Sequence, residues 1–335
     1  MPERENNRKD AEAGEGFFSS WRGWFLAAML IAGLVVAVLH WGDVKRFGKL
    51  LTEAKPVWLA VAALLQLGTY VGLAAQWWLV LRRARTPESA PDLFRLTLAK
   101  HFADQVVPTA GMSGNVVVVD RLVNLGVPRN NAVAALLLQI ISYYISYALG
   151  ALWVLVVLWW KSHSSLLLTL AVLVFLVVAG GIPAIVLWLH RRGQERIPPW
   201  ISKWSKAKRF FELVGEAPGE LVRDPHLIAW LTGLNLAVFV ADAATMQACV
   251  EALGVHAPLS AGYVAFMFAS IAVILGPVPM GLGSFEAVSI AMLRLFGVPF
   301  EAAVGATLLF RGFTLWLPLI PGGILLKTEM EPAEA

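Results

Sequence analysis

The chain has 335 residues, of which 58% are hydrophobic and only 15% charged, with a mean hydropathy of +0.67 and 14 tryptophans. Soluble domains average about 45–50% apolar and about 25% charged residues, so this composition excludes that class and is that of an integral membrane protein. The net charge of +4 sits in basic loops between apolar spans, which leaves nucleic acid binding without support. The single cysteine, Cys249, excludes an intrachain disulfide and any Cys-based zinc or iron–sulfur site.

In chain order, residues 1–20 are polar and predict a disordered tail. The apolar run from Trp24 to His40 predicts a first helix over 24–41, anchored by Trp21 and Trp41 at the interfaces. A signal peptide is the rival, but the residues after His40 make a poor cleavage site, so a retained helix is expected. Further spans are predicted at 57–81, 132–160, 166–190, 227–250 and 302–326, giving six crossings.

Two segments are less regular. Residues 91–125 and 258–296 each carry an apolar arm, a break and a second arm. The breaks hold Pro108, Gly111 and Gly114 in the first segment, and Pro277, Pro279, Gly281 and Gly283 in the second. A full crossing needs about 20 residues, and each arm is shorter. Both segments therefore read as re-entrant hairpins, whose interrupted backbone must be surrounded by protein or by a watery cavity.

The chain also repeats itself. At an offset of 171 residues, Val107-Pro108 falls on Val278-Pro279, and Gly126-Val127-Pro128 on Gly297-Val298-Pro299. Pro87–Leu138 against Pro258–Leu309 gives 16 identities in 52 positions without a gap, where about 5 would follow from so apolar a composition. The domain reading is a polar tail (1–20), one membrane domain (21–326) and a short tail (327–335). Within the domain, repeat one is 57–160, a linking helix is 166–190 and repeat two is 227–326.

Charge orients these parts. With re-entrant hairpins and a cytoplasmic N-terminus, 20 of the 27 Lys and Arg residues fall inside and 6 outside, with Arg311 inside a span. If only the first hairpin crossed fully, the eight basic residues of 191–226 would move outside, against the positive-inside rule. The favoured arrangement inverts the second repeat relative to the first. Inverted repeats with broken helices are the pattern of secondary transporters, whose site lies near the midplane.

Five polar residues at membrane depth are candidates for substrate contact. Glu286 follows the second break, where a carboxylate suggests a proton, ion or headgroup site. Equally, Ser284 would cap a helix N-terminus with Glu286 in its first turn. Arg311 lies ten residues into its span, too deep to snorkel easily, and needs Asp242 or Glu286 as a partner, or a lipid phosphate. Asp242 alone is ambiguous, because a lone buried acid is also satisfied by protonation and hydrogen bonding. In the first hairpin, Gln105 and Asn115 stand with His101 and Asp104, and Asn115 takes the repeat position of Glu286. Lys100, His101 and Asp104 read equally well as residues in water at a cytoplasmic mouth. Gln76 and Gln247 also correspond, which suggests a symmetric polar contact, as amides bridge helices in lipid.

Residues 199–214 place Trp200, Trp204, Phe211 and Val214 near one helical face, with Lys203, Lys206, Lys208 and Arg209 among them. This predicts an amphipathic helix on an anionic leaflet, with a protein docking site as the alternative. No nucleophile–base pair, phosphate loop or His-rich metal spacing stands out, so the expectation is a non-enzyme without cofactor or metal.

The run Pro277-Val-Pro-Met-Gly281-Leu-Gly283-Ser-Phe-Glu286-Ala, with Gly297-Val-Pro299, Arg311 and Leu315-Trp316-Leu-Pro318, resembles the lysylphosphatidylglycerol synthase transmembrane region, or flippase-like, family. Pro108-Thr-Ala-Gly111-Met-Ser-Gly114 and Gly126-Val-Pro128 are similar to that family's other motif. The resemblance covers roughly residues 20–326. It implies lipid translocation in a bacterial inner membrane, with both termini cytoplasmic. The chain departs from the family's pattern at Asn115 and Ile140, where members usually carry Glu and Arg. The residues after Leu326 carry no aminoacyl-transferase domain, so a stand-alone member is expected. The fold expected is thus all-α and polytopic, with about six full transmembrane helices and two re-entrant hairpins. The expected partners are membrane lipids, with a homo-oligomer or a lipid-pathway enzyme left open. Two rival functions remain: a proton-coupled small-solute carrier, and an accessory subunit of a membrane glycosyltransferase or lipid-modifying enzyme.

Overall fold

The computed structural model describes Thr52 and residues 54–106, 112–161, 165–192, 217–276 and 281–316. Every regular element among them is helical: α1 (Pro56–Arg83), α2 (Ala90–Val106), α3 (Met112–Asn124), α4 (Arg129–Trp160), α5 (Leu166–Arg192), α6 (Gly219–Val222), α7 (Pro225–Ala252), α8 (Leu259–Leu275), α9 (Ser284–Leu295) and α10 (Phe300–Arg311). A π-helical turn, Gly312–Trp316, continues α10. The first predicted helix (24–41), both tails and the amphipathic segment with Trp200, Lys203, Trp204, Lys206, Lys208 and Arg209 lie outside the described residues. The last predicted span is described only as far as Trp316.

Four described helices are long and apolar enough to cross a membrane: 56–83, 129–160, 166–188 and 225–252. Their starts follow from local chemistry. Pro56 and Pro225 each open a helix at a position whose N–H would have no intrahelical partner. Asp224 caps α7, its Oδ1 accepting from the N–H groups of His226 (3.0 Å) and Leu227 (3.2 Å). Lys55, at the same place before α1, offers no side-chain cap, and its N–H donates instead to Ala252 O at the far end of α7, 2.8 Å away.

The sequence repeat is also a repeat of elements. α1 and α7 each have 28 residues, and α2 and α8 each have 17. α3 ends at Asn124 and α9 at Leu295, while α4 begins at Arg129 and α10 at Phe300, all 171 residues apart. The intervening turns match as well, because Gly126 (φ +96°) and Gly297 (φ +83°) both adopt the left-handed conformation that glycine tolerates without Cβ strain. All four arms, of 17, 13, 17 and 12 residues, fall short of the roughly 20 needed to cross.

α1 and α7, the leading helices of the two units, pack side by side. Close approach is built in at Gly72, whose missing Cβ would lie 3.1 Å from Val238. Because lipid offers no hydrophobic drive between helices, polar stitches carry specificity. Gln76 Nε2 donates to Asn235 Oδ1 (3.2 Å), Asn235 Nδ2 to Ser142 Oγ (3.1 Å), and Ser146 Oγ to Thr232 O (3.0 Å), joining α1, α7 and α4. At one end Trp77, Leu81, Leu93, Leu96, Leu122 and Leu137 form a dry cluster. The Arg83–Asp224 ion pair (2.9 Å) lies at the adjoining helix ends.

Gln76 and Gln247 do not make the symmetric contact that their correspondence suggests. Gln247 Oε1 accepts from Gly262 N–H (3.2 Å) and its Nε2 donates to Ala257 O (2.9 Å), tying α7 to the start of α8. The repeat partner of Gly262 is Pro91, which has no N–H to give. Gln76 Oε1 is accordingly buried without a partner, and its amide turns to Asn235.

Candidate functional site

Glu286 and Arg311 come together. The strand of chain entering α9 turns through Gly281 (φ +62°) and Gly283 (φ +82°), conformations a side chain resists. At Gly281 the obstruction is also steric, since a Cβ would lie 2.2 Å from Val273. Gly283, not Ser284, is the N-cap. The capping position here adopts a positive φ that glycine tolerates, and Ser284 is the first helical residue, its hydroxyl donating to Gly281 O at 3.1 Å. Glu286, at the third helical position, reaches back so that Oε2 accepts from Gly283 N–H at 2.7 Å, half of a capping box.

Its other oxygen, Oε1, lies 2.8 Å from Arg311 Nε in an ion pair that joins α9 to the end of α10. The side chains of Arg311 and Glu286 are only 10% and 21% exposed. Of the two acids proposed for Arg311, Glu286 is therefore the partner. The Arg311 guanidinium carbon lies 5.0 Å from the centroid of the Phe285 ring, which stacks on Phe310 (5.5 Å, interplanar 2°). A desolvated cation over an aromatic face gains about 2 kcal/mol or more. Arg311 is also the last residue before the π-helical turn, and such irregularities collect at functional sites.

Asp242 stands apart from this pair. Its Oδ1 accepts from Thr69 Oγ1 at 3.2 Å, across the α1–α7 contact, with the Gln66 side chain beside it. Tyr70 packs edge-on to His101 (5.5 Å), and His101 Nδ1 lies 3.2 Å from Thr97 O. The half-buried ring of His101 thus lies against α1 rather than free in water. The sequence did not single out Thr69, Gln66 and Tyr70; their spacing along α1 places them on one face opposite Asp242, a signal legible only once α7 is known as the neighbour.

Asp104, Gln105 and Asn115 have side chains outside the described residues, as do Pro108, Gly111, Pro277 and Pro279 themselves. Gly114 lies within α3. Three or more His, Cys, Asp or Glu side chains placed to hold a metal do not occur among the described residues.

Residues 24–322 match the family described as the lysylphosphatidylglycerol synthase TM region. The chain belongs to that family. The match spans both helix–break–helix units and includes Glu286 and Arg311, and the family is a membrane domain associated with lipid-related function. With its apolar helices, this makes the chain a multi-pass membrane protein. No curated protein matches it.

Proposed function

We propose that the protein moves a polar or phosphate-bearing lipid between the leaflets of a bacterial inner membrane, with both termini cytoplasmic and without enzymatic chemistry of its own. The observation that carries this is the buried Glu286–Arg311 pair at a helix break, in a chain whose family match spans 24–322. A buried guanidinium is tolerated only with a counter-charge, and Glu286 supplies it at rest. A lipid phosphate presents two oxygens that a planar guanidinium can take together. It would take Arg311 from Glu286, which keeps the Gly283 N–H. The exchange leaves Arg311 paired throughout, so the headgroup enters without exposing an uncompensated cation.

Two further features support the reading. The short arms and matched breaks suit a pair of re-entrant hairpins in inverted repeats, with the headgroup path where the halves meet. Between α1 and α7 lies an apolar groove of about 470 Å³, lined by Leu64, Gly68, Gly72, Leu234, Val238 and Ala241. Such a groove suits acyl tails that stay in the bilayer while the headgroup crosses. On the first-hairpin side, Gln105 and Asn115 would line a less charged wall. Basic residues 203–209 would hold the 199–214 segment on an anionic leaflet.

The test is reconstitution into liposomes carrying a panel of leaflet-labelled lipids, comparing wild type with a Glu286→Gln, Arg311→Ala double variant. Movement of one headgroup class that the variant abolishes is the expected result. Wild-type rates in the double variant would sink the assigned roles. Absence of any lipid movement by folded protein would shift the balance to a small-solute carrier or an enzyme-accessory subunit.

A further inference from the structure

We propose that Asp242 is a proton-binding site, separate from the Glu286–Arg311 pair, and that its protonation loosens a latch between the two halves and so couples lipid movement to the proton gradient. The inference rests on the lipid-transport reading and adds its energy source.

Placement comes first. Asp242 lies ten residues before the end of α7, about 15 Å along the helix, within a helix long and apolar enough to cross a membrane. An acid at such depth is costly and by default functional. Among the described residues no basic side chain forms an ion pair with it. The groups around it are neutral and carry exchangeable protons. From α1 these are Thr69, Gln66 and Tyr70. From α4 they are Tyr147 and, next to it, Tyr143, whose rings are 4.8 Å apart. From α8 comes Ser270, near the Tyr147 hydroxyl, while Tyr263 is occupied with Gly150 O (3.2 Å). The charged group at the end of α10, Arg311, is held by Glu286. His101 of α2 lies behind Tyr70.

A second observation concerns Gln66, whose amide lies against both the acid and Tyr70. Gln66 is 4% exposed, and its Oε1 is buried without a hydrogen-bond partner. An orphaned buried acceptor costs about 1–3 kcal/mol, and a proton on the neighbouring carboxyl would give it a donor. With Asp242 ionised, Gln66 presents its amide N–H₂ to the carboxylate; with Asp242 protonated, a flipped amide offers Oε1 to the new O–H.

Thr69 supplies the latch. Its hydroxyl has one proton and two acceptors, Asp242 Oδ1 at 3.2 Å and Leu65 O at 3.3 Å. An ionised carboxylate is the stronger acceptor by roughly twofold, so the hydroxyl bridges α1 to α7 when Asp242 is charged. Protonation reduces that pull and lets Thr69 turn back to its own helix. Since α1 and α7 lead the two repeats, the contact that weakens is the one between halves.

The experiment uses the full chain in phosphatidylethanolamine–phosphatidylglycerol vesicles with labelled phosphatidylglycerol and an imposed pH gradient. A gradient of about one pH unit supplies up to about a tenfold leaflet ratio per coupled proton. Wild type is expected to build an unequal leaflet distribution, and Asp242→Asn to show none. Thr69→Val, which keeps the acid and drops the latch, is expected to give a reduced ratio. Lipid movement that stays at equal distribution under the gradient would overturn the coupling and leave the lipid reading standing. If no lipid moves at all, that reading fails, and infrared titration of the solubilised protein decides the site by itself. A protonated-carboxyl band that grows with acid and is missing in Asp242→Asn supports it; identical titrations in the two proteins overturn it.

Discussion

The two helix–break–helix units share their element lengths and their turns but not the ion pair. In the second, Glu286 and Arg311 form a buried ion pair. In the first, the corresponding positions are Asn115 and Ile140. The backbone plan therefore does not require the charges: Gly126 and Gly297 turn alike, and α4 and α10 begin alike, with or without an ion pair nearby. What the charges add is an ion pair in one of two units with matched helix ends. On the proposed function, a headgroup would be engaged asymmetrically, by the pair in the second unit.

The sharpest way to break this comparison is to remove one partner of the pair. Arg311→Ala leaves the Glu286 carboxylate with only Gly283 N–H and is expected to cost about 3–5 kcal/mol, read as a lowered unfolding midpoint in detergent. Ile140→Val in the first unit should cost only about 0.5–1.5 kcal/mol. Equal losses at the two positions would show that Arg311 acts through packing alone. Glu286→Gln added to Arg311→Ala should recover part of the stability while lipid movement stays lost.

A smaller contrast concerns the glutamines. Gln247→Leu strips Gly262 N–H of its acceptor and is expected to cost about 1–3 kcal/mol. Gln76→Leu strips Asn235 Oδ1 of its donor but also removes an already orphaned oxygen, so it should cost less, by about 1 kcal/mol. A reversed order in thermal unfolding would refute the role assigned to Pro91.

The matched turns give a prediction of sameness. Gly126→Ala and Gly297→Ala each force a Cβ into a left-handed conformation with no neighbouring atom to clash, so each should cost about 1–2 kcal/mol of pure backbone strain. Clearly unequal losses would mean that the two turns differ in environment despite their shared geometry.

The smallest effect separates the two leading helices. α7 has the Asp224 cap and α1 has none, so Asp224→Ala should cost about 1 kcal/mol. The backbone N–H of Leu227, followed by the Arg83 guanidinium, holds the Asp224 carboxyl below the usual carboxylate range. Its folded pKa is thus lower than its unfolded one of about 3.9. The stabilisation is present above that unfolded value and is lost as pH falls through the folded pKa. The acid limb of a stability–pH profile should therefore be shallower in Asp224→Asn; an unchanged limb would contradict this.

Much of this was legible in advance. Apolar run length located the four described spans, and the offset of 171 located corresponding helix ends to the residue, because Gly-Val-Pro is a turn signal that needs no neighbour to be read. Glu286 and Arg311 stood out because charge is rare in an apolar run. Their pairing did not, since Asp242 and Glu286 were equally plausible partners along a line of sequence. The N-cap was misplaced by one residue, at Ser284, because side-chain preference names serine while backbone sign, visible only in the fold, demands glycine.

The sequence alone thus determined that the chain is a membrane protein, where its described helices begin and end, and that it repeats itself. Those properties depend on local hydropathy, proline and glycine, which act within a few residues. Only the tertiary structure decided which acid neutralises Arg311, that Thr69 rather than a cation meets Asp242, and that Gln76 and Gln247 part company. Each of those outcomes depends on which helix lies alongside, and a hydrogen bond of 3 Å is satisfied across space without regard to separation along the chain.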